Sequence, residues 1–319
     1  MQKYKTYVRI LFLALLGIVS AALLYLYIFS KVYPFPVLHR ISLDAKIKFI
    51  KDHIDIDKVD TIIVGSSIGL NDVQGAILEK SCKKCQSVLN LSGFELRPPQ
   101  VEQILEITTV FPNLKRIIYS AQFSDFSAYA RLEDYDPDMV KRYLTNSLWF
   151  SDYISIILHS DIISCIKRQW NWKTKYMSNN QFTYLGFDRT GSVPLHIYGQ
   201  DIIKHRWEQP HSAKQDKKNY FVLEKMVKKA KKDNIHFYFI MEPYRASLVQ
   251  KFKHVHPAML SFDHSIKKIV VGNGGIFLNL HNKLDFNDDY FADRSHLNDK
   301  GSAITAKEIG RFIDETNKD

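Results

Sequence analysis

Three cysteines in 319 residues are too few for a disulfide framework, and their scatter provides none of the paired Cys and His spacings of a four-ligand structural zinc. No internal repeat or low-complexity segment is present, which excludes solenoid and fibrous chains. Nor is there a basic block. Lys and Arg outnumber Asp and Glu by 44 to 34, but the excess is spread along the chain, which argues against a nucleic-acid partner. At 45% hydrophobic and 13% aromatic residues, the chain has the apolar content for a substantial core, so disorder is excluded as well.

Charge is missing altogether from residues 10–30. At about 1.5 Å per residue that stretch matches a hydrocarbon core of about 30 Å. A cleavable leader has a shorter apolar region and a small-x-small cleavage site, whereas here Tyr25 to Phe29 lead into Lys31. The expectation is an uncleaved signal anchor over residues 1–31, with Tyr25, Tyr27 and Tyr33 as an interfacial belt. Lys3, Lys5 and Arg9 precede the span without an acid among them, which favours a cytoplasmic N-terminus and an extracytoplasmic main domain. The exported part is still basic and suits anionic lipid headgroups or an acidic polymer. Residues 32–57 read as a juxtamembrane linker, and 58–319 as one domain.

Residues 59–64 form a short apolar run ending in Gly65-Ser66-Ser67, a buried strand turning into a helix. Strands are expected again at 87–91, 115–120, 236–241 and 276–280. Helices are expected at 99–111, 216–232, 257–271 and 300–315. This alternation means an α/β domain with a parallel sheet covered on both faces. It is interrupted at about 127–212 by a less regular, aromatic-rich segment holding Trp149, Trp170, Trp172 and Trp207, which reads as an insertion. That segment is either a lid, platform or docking surface for sugar rings, membrane or a partner protein, or simply an insertion with its own small core. Within it, 147–166 reads as an apolar helix whose Asp152, His159 and Asp161 rule against a second span.

Ligands of parallel sheets bind beyond the carboxyl ends of the strands. That directs attention to Ser66, Ser67, Ser92, Gly93, Ser120 to Asp125, Glu242, Pro243 and the segment after Leu280, which contains Asp293 and His296. A serine nucleophile needs a base to take its proton, and the base needs an acceptor to hold its ring. Asp and His three apart occur twice, at Asp233/His236 and Asp293/His296. The first pair falls at the amino end of a strand and the second on the ligand-binding edge, so Asp293 and His296 are the candidates. The bland alternatives are helix caps for Ser66, Ser67, Asp293 and His296, and a tight-turn role for Gly93. Cys82 and Cys85 form either a redox pair, a small disulfide loop in an exported domain, or idle loop thiols.

Gly65-Ser66-Ser67, Gly93 and Asp293-Arg294-Ser295-His296, in that order, resemble the first, second and fifth blocks of the SGNH (GDSL-type) hydrolase superfamily. The resemblance implies a three-layer flavodoxin-like fold with Ser67 as nucleophile, His296 as base and Asp293 as its orienting partner. The Ser67 and Gly93 N–H groups would be oxyanion donors. The third block of the family, Gly-x-Asn-Asp, is replaced here by Tyr119-Ser120-Ala121-Gln122-Phe123-Ser124-Asp125, so that Gln122 stands in for the missing Asn donor or that donor is absent. Ser66 occupies a position where many members have Asp. The same departure is seen in membrane-anchored relatives similar to the teichoic acid D-alanylation and alginate O-acetylation proteins.

Two functions follow. One is a membrane-anchored serine esterase or O-acyltransferase acting on a cell-envelope glycan or polymer, with a polytopic membrane acyltransferase as acyl supplier and no metal or organic cofactor. The other is a non-catalytic scaffold or glycan-binding subunit retaining the fold.

Overall fold

The computed structural model describes residues 2–32, 36–38, 40–133, 135–159, 164, 167, 186–210 and 214–316. Among the described residues its helices of six residues or more are, in chain order, α1 (Gln2–Val32), α2 (Ile41–His53), α3 (Ser67–Asp72), α4 (Gly75–Ser81), α5 (Pro98–Leu105), α6 (Pro137–Leu144), α7 (Phe150–His159), α8 (Lys218–Lys232), α9 (Ala246–Lys251), α10 (Val255–Gly272) and α11 (Asp299–Thr316). The strands β1 (Thr61–Gly65), β2 (Val88–Asn90), β3 (Arg116–Ala121), β4 (His236–Met241) and β5 (Ile276–Asn279) pair in parallel in the order β2-β1-β3-β4-β5. This is the flavodoxin-like order. The strand order reverses beside β1, so the crevice at the carboxyl ends of β1 and β3 is the place for a ligand.

Side-chain alternation on the strands builds the layers. Ile62, Val64, Ile117, Tyr119, Phe237 and Phe239 face a core closed by α2, α5, α8 and α10, and Ile63, Ile118, Tyr238, Ile240 and Leu278 face one closed by α4 and α11. The sheet is therefore buried on both sides, which is why its strands read as continuous apolar runs.

Two expectations are revised. Residues 41–53 are not a linker: Leu43, Ile47, Phe49 and Ile50 of α2 are buried in the first core together with Val37 and Leu38. The helix expected at 99–111 ends at Leu105 and tightens into a 3-10 turn over Glu106–Val110. There Ile107, Thr108, Thr109 and Val110 are β-branched in succession, and Thr108 Oγ1 donates back to the Leu105 carbonyl at 2.7 Å. The apolar helix expected over 147–166 begins at Phe150 and runs through His159, Ser164 is helical as well, and the rest of the stretch lies outside the described residues. Its Asp152 is turned inward, where Arg142 of α6 holds it through two hydrogen bonds of 2.8 and 2.6 Å.

The last part of the aromatic segment returns to the sheet. Asn90 N–H donates to the Thr190 carbonyl at 2.8 Å, and Ser192 Oγ accepts from Gly75 N and Asn90 Nδ2, both at 3.0 Å. Lys46 of α2 is buried beneath, donating to the carbonyls of Asn90 and Gly191. Burial pulls its amine down to about 7, against the raising influence of Asp188. Trp207 is pinned by Arg245, whose guanidinium stacks 3.5 Å above its ring. Trp170 and Trp172 lie outside the described residues. Helix α1 is long and apolar enough to cross a membrane over Tyr4–Leu24, a window that begins earlier than the uncharged run.

Candidate active site

At the end of β1 the chain must turn sharply without leaving the sheet. A Cβ on Gly65 would stand 2.2 Å from the Ser120 carbonyl oxygen of β3, so only glycine lets the two backbones approach so closely. Ser66 then caps α3, its Oγ accepting from Ile68 N–H at 3.2 Å. Ser67 is the first residue of α3, where its own N–H has no intrahelical acceptor.

The other two groups come from the turn before α11. The Asp293 carboxylate folds that turn around itself, Oδ1 accepting from Ser295 and His296 N–H at 2.8 Å each. Its Oδ2 lies 2.8 Å from His296 Nδ1, and His296 Nε2 lies 2.8 Å from Ser67 Oγ. Hydroxyl, imidazole and carboxylate thus stand in one line, an order in which the ring can take the hydroxyl proton while the carboxylate steadies the imidazolium. Burial alone would raise Asp293, but the His296 ring and the two backbone N–H groups outweigh it and hold the carboxyl at about 2.

The oxyanion donors do not follow expectation. Both N–H groups of the Gln122 side chain are committed, to the Pro243 carbonyl at 2.8 Å and the Ser295 carbonyl at 3.0 Å. Gln122 is therefore a brace between the ends of β3 and β4 and the His296 turn, and does not replace the missing Asn. Gly93 N–H donates to the Gly65 carbonyl at 3.2 Å, so of the three expected donors Ser67 N–H alone has no acceptor among the described residues. Nor is Gly93 a turn glycine. It is small because α2 presses on it, a Cβ there meeting Leu43 Cδ2 at 2.5 Å.

Three buried acids, Asp72, Glu242 and Asp125, lie close to this line. Asp72, at the end of α3, accepts from Leu297 N–H at 2.9 Å, while its Oδ2 is buried without a partner. Burial, followed by the nearby Glu242, drives its carboxyl far above the ordinary range. Glu242 takes the Ser120 hydroxyl at 2.8 Å and is pushed by burial to about 8. Burial also raises Asp125, partly offset by the Gln122 N–H. Glu242 and Asp125 were legible as strand-end residues, but nothing in the sequence around Asp72 marks it. Among the described residues no group of three His, Cys, Asp or Glu side chains could hold a metal. A cleft of about 820 Å³ lined by Tyr220, Glu224, His264 and Lys268 includes none of the Ser67 site.

No family model matches the chain, and no curated protein matches it. Among solved structures it is similar to a protein from Streptococcus pneumonia provisionally described as a platelet activating factor, with 9% identity and a TM-score of 0.46 over 85% of this chain and 92% of that one. A likeness at that level carries no inference about activity.

Proposed function

We propose that this chain is a membrane-tethered serine esterase or O-acyltransferase of the SGNH type, working outside the cytoplasm on an ester of a cell-envelope glycan or polymer. The observation that carries the reading is the pair of 2.8 Å contacts joining Ser67 Oγ, His296 and Asp293 at the carboxyl edge of the sheet. Ser67 Oγ attacks the ester carbonyl as His296 Nε2 takes its proton. The tetrahedral oxyanion is met by the Ser67 N–H, and by Gly93 N–H once its bond to Gly65 is exchanged. Collapse expels the alcohol, which takes the proton from His296 and leaves an acyl-serine. Water or a glycan hydroxyl, deprotonated by the same ring, then takes the acyl group. Esterase and transferase differ only in that acceptor, and a polytopic membrane acyltransferase fits the role of acyl supplier.

Support for the compartment comes from Cys82 and Cys85, which are disulfide-bonded, a state that persists in oxidising surroundings. The cations Lys3, Lys5 and Arg9 before the candidate span point the same way. A second reading, a binding subunit that keeps the fold without turnover, is favoured by one observation: Gly93 and Gln122 both spend their N–H groups elsewhere. Hydrolysis of 4-nitrophenyl acetate by the full chain in nanodiscs separates the two. Turnover lost in Ser67→Ala and in His296→Ala supports the enzyme; a folded wild-type chain without turnover supports the binding subunit.

A further inference from the structure

Arg97 stands at the amino end of α5, four residues beyond Gly93, and its side chain is half-buried. Its Nη1 donates to the Ser124 carbonyl at 2.9 Å, and among the described residues no carboxylate is within ion-pair distance of it. Two more deeply buried arginines near strand ends have anions: Arg116 faces Asp60 at 3.6 Å, and Arg245 faces Asp288 at 3.0 Å. A guanidinium stays charged at any physiological pH, and partly withdrawing one from water without a counterion is unfavourable.

Contacts tie Arg97 to the Ser67 site. Ser124, which it holds, precedes Asp125, whose carboxylate accepts from Gln122 N–H at 2.8 Å, and the Gln122 side chain donates to the Ser295 carbonyl, next to His296, at 3.0 Å. The loop carrying Arg97 is fastened to the end of β1 by the Gly93 to Gly65 bond. Arg97 and His296 both bias the Asp125 carboxyl toward its charged form. Burial, however, is the largest influence on Asp125 and opposes its ionisation, which makes it a poor permanent counterion. Beside Arg97 on the loop, Phe94 exposes its ring and Glu95 adopts a left-handed backbone (φ 56°).

We propose that Arg97 is the anion-binding residue of the Ser67 site, taking paired oxygens of a carboxylate or phosphate group carried by the ester substrate. This rests on the esterase reading for its catalytic consequence but not for the binding itself. The planar fork of Arg matches two oxygens of either anion, and the exposed Phe94 ring offers an apolar face for the organic part beside them.

Two measurements on the full chain in nanodiscs test it. In the first, wild type, Arg97→Gln and Arg97→Lys are compared on 4-nitrophenyl acetate, 4-nitrophenyl hemisuccinate and 4-acetoxyphenyl phosphate. The ratio of kcat/KM for an anionic ester to that for the neutral one is expected to fall about tenfold or more in Arg97→Gln, through KM, with partial recovery in Arg97→Lys. Whether hemisuccinate or phosphate shows the larger fall tells which anion the site takes, and equal ratios in all three proteins overturn the proposal. In the second, phenylglyoxal modification of wild-type arginines is followed by mass spectrometry with and without phenyl phosphate or benzoate. Selective protection of Arg97, with exposed Arg311 as reference, is expected even if no ester is turned over, an outcome that would remove the esterase reading alone. Absence of protection at Arg97 by both anions overturns the anion site.

Discussion

Asp293 and Glu242 stand at the same edge of the sheet and titrate in opposite directions. Asp293 is held at about 2, below the usual carboxylate range, so its contribution to stability is present above about pH 4 and is lost as pH falls toward 2. Glu242 is pushed up to about 8, so the folded state binds its proton more tightly than the unfolded chain. Its stabilising effect is complete below about pH 4.5 and is lost as pH rises to 8. Glu242→Gln keeps an acceptor for the Ser120 hydroxyl and removes the titration. The variant is expected to gain stability over wild type progressively between pH 5 and 8, by roughly 1–3 kcal/mol at the upper end, measured by urea unfolding at each pH. A flat difference across that range would contradict the assignment. For Asp293→Asn, the lost anchor of the imidazole is expected to cost about 10³–10⁴ in kcat with the fold intact.

Among the elements, α2 is the one that reading residue by residue treats as a linker, and the reason is physical. Its apolar residues, Leu43, Ile47 and Ile50, alternate with Lys46, Lys48 and Asp44, so the stretch looks solvated. In the fold those polar groups are buried too: Lys48 meets Asp52 at 2.6 Å, Asp44 accepts from Leu38 N–H, and Lys46 reaches two carbonyls. The partners of Lys46 lie 44 and 145 residues away, so its burial leaves no trace in the local pattern. The strands, by contrast, were legible because burial on both faces makes them uniformly apolar, and His236–Met241 begins and ends where the run does. Ser67, Asp293 and His296 were singled out by their places at the carboxyl edge of the sheet and by the resemblance, because the Asp-x-x-His spacing occurs twice and does not choose between the pairs. The oxyanion donors were not, because an amide such as Gln122 is free or spent according to carbonyls 121 and 173 residues away. The packing of α2 on Gly93 gives a test. Gly93→Ala is expected to lower stability by about 1–3 kcal/mol, and Leu43→Ala in the same chain to recover part of that loss, read as Tm. Additive losses would contradict the contact.

At the scale of the whole molecule, the two ends of the domain are joined through the short disulfide loop. Cys82 and Cys85 are bonded, and the Lys83 and Lys84 N–H groups of that loop donate to Asp314 in α11, at 3.0 and 3.3 Å. Closing so small a loop restricts the unfolded chain only modestly, so Cys82→Ser with Cys85→Ser is expected to cost about 2 kcal/mol without abolishing folding. Retention of the bond in chain isolated under thiol-trapping conditions checks the compartment at the same time. The line of three side chains leads to the central proposal, that Ser67 is a nucleophile. Its most direct test is labelling of the full chain, in nanodiscs, by a fluorophosphonate probe, with the adduct mapped by mass spectrometry. A single adduct on Ser67 that disappears in His296→Ala is the expected result; a folded chain left unlabelled at Ser67 would contradict it.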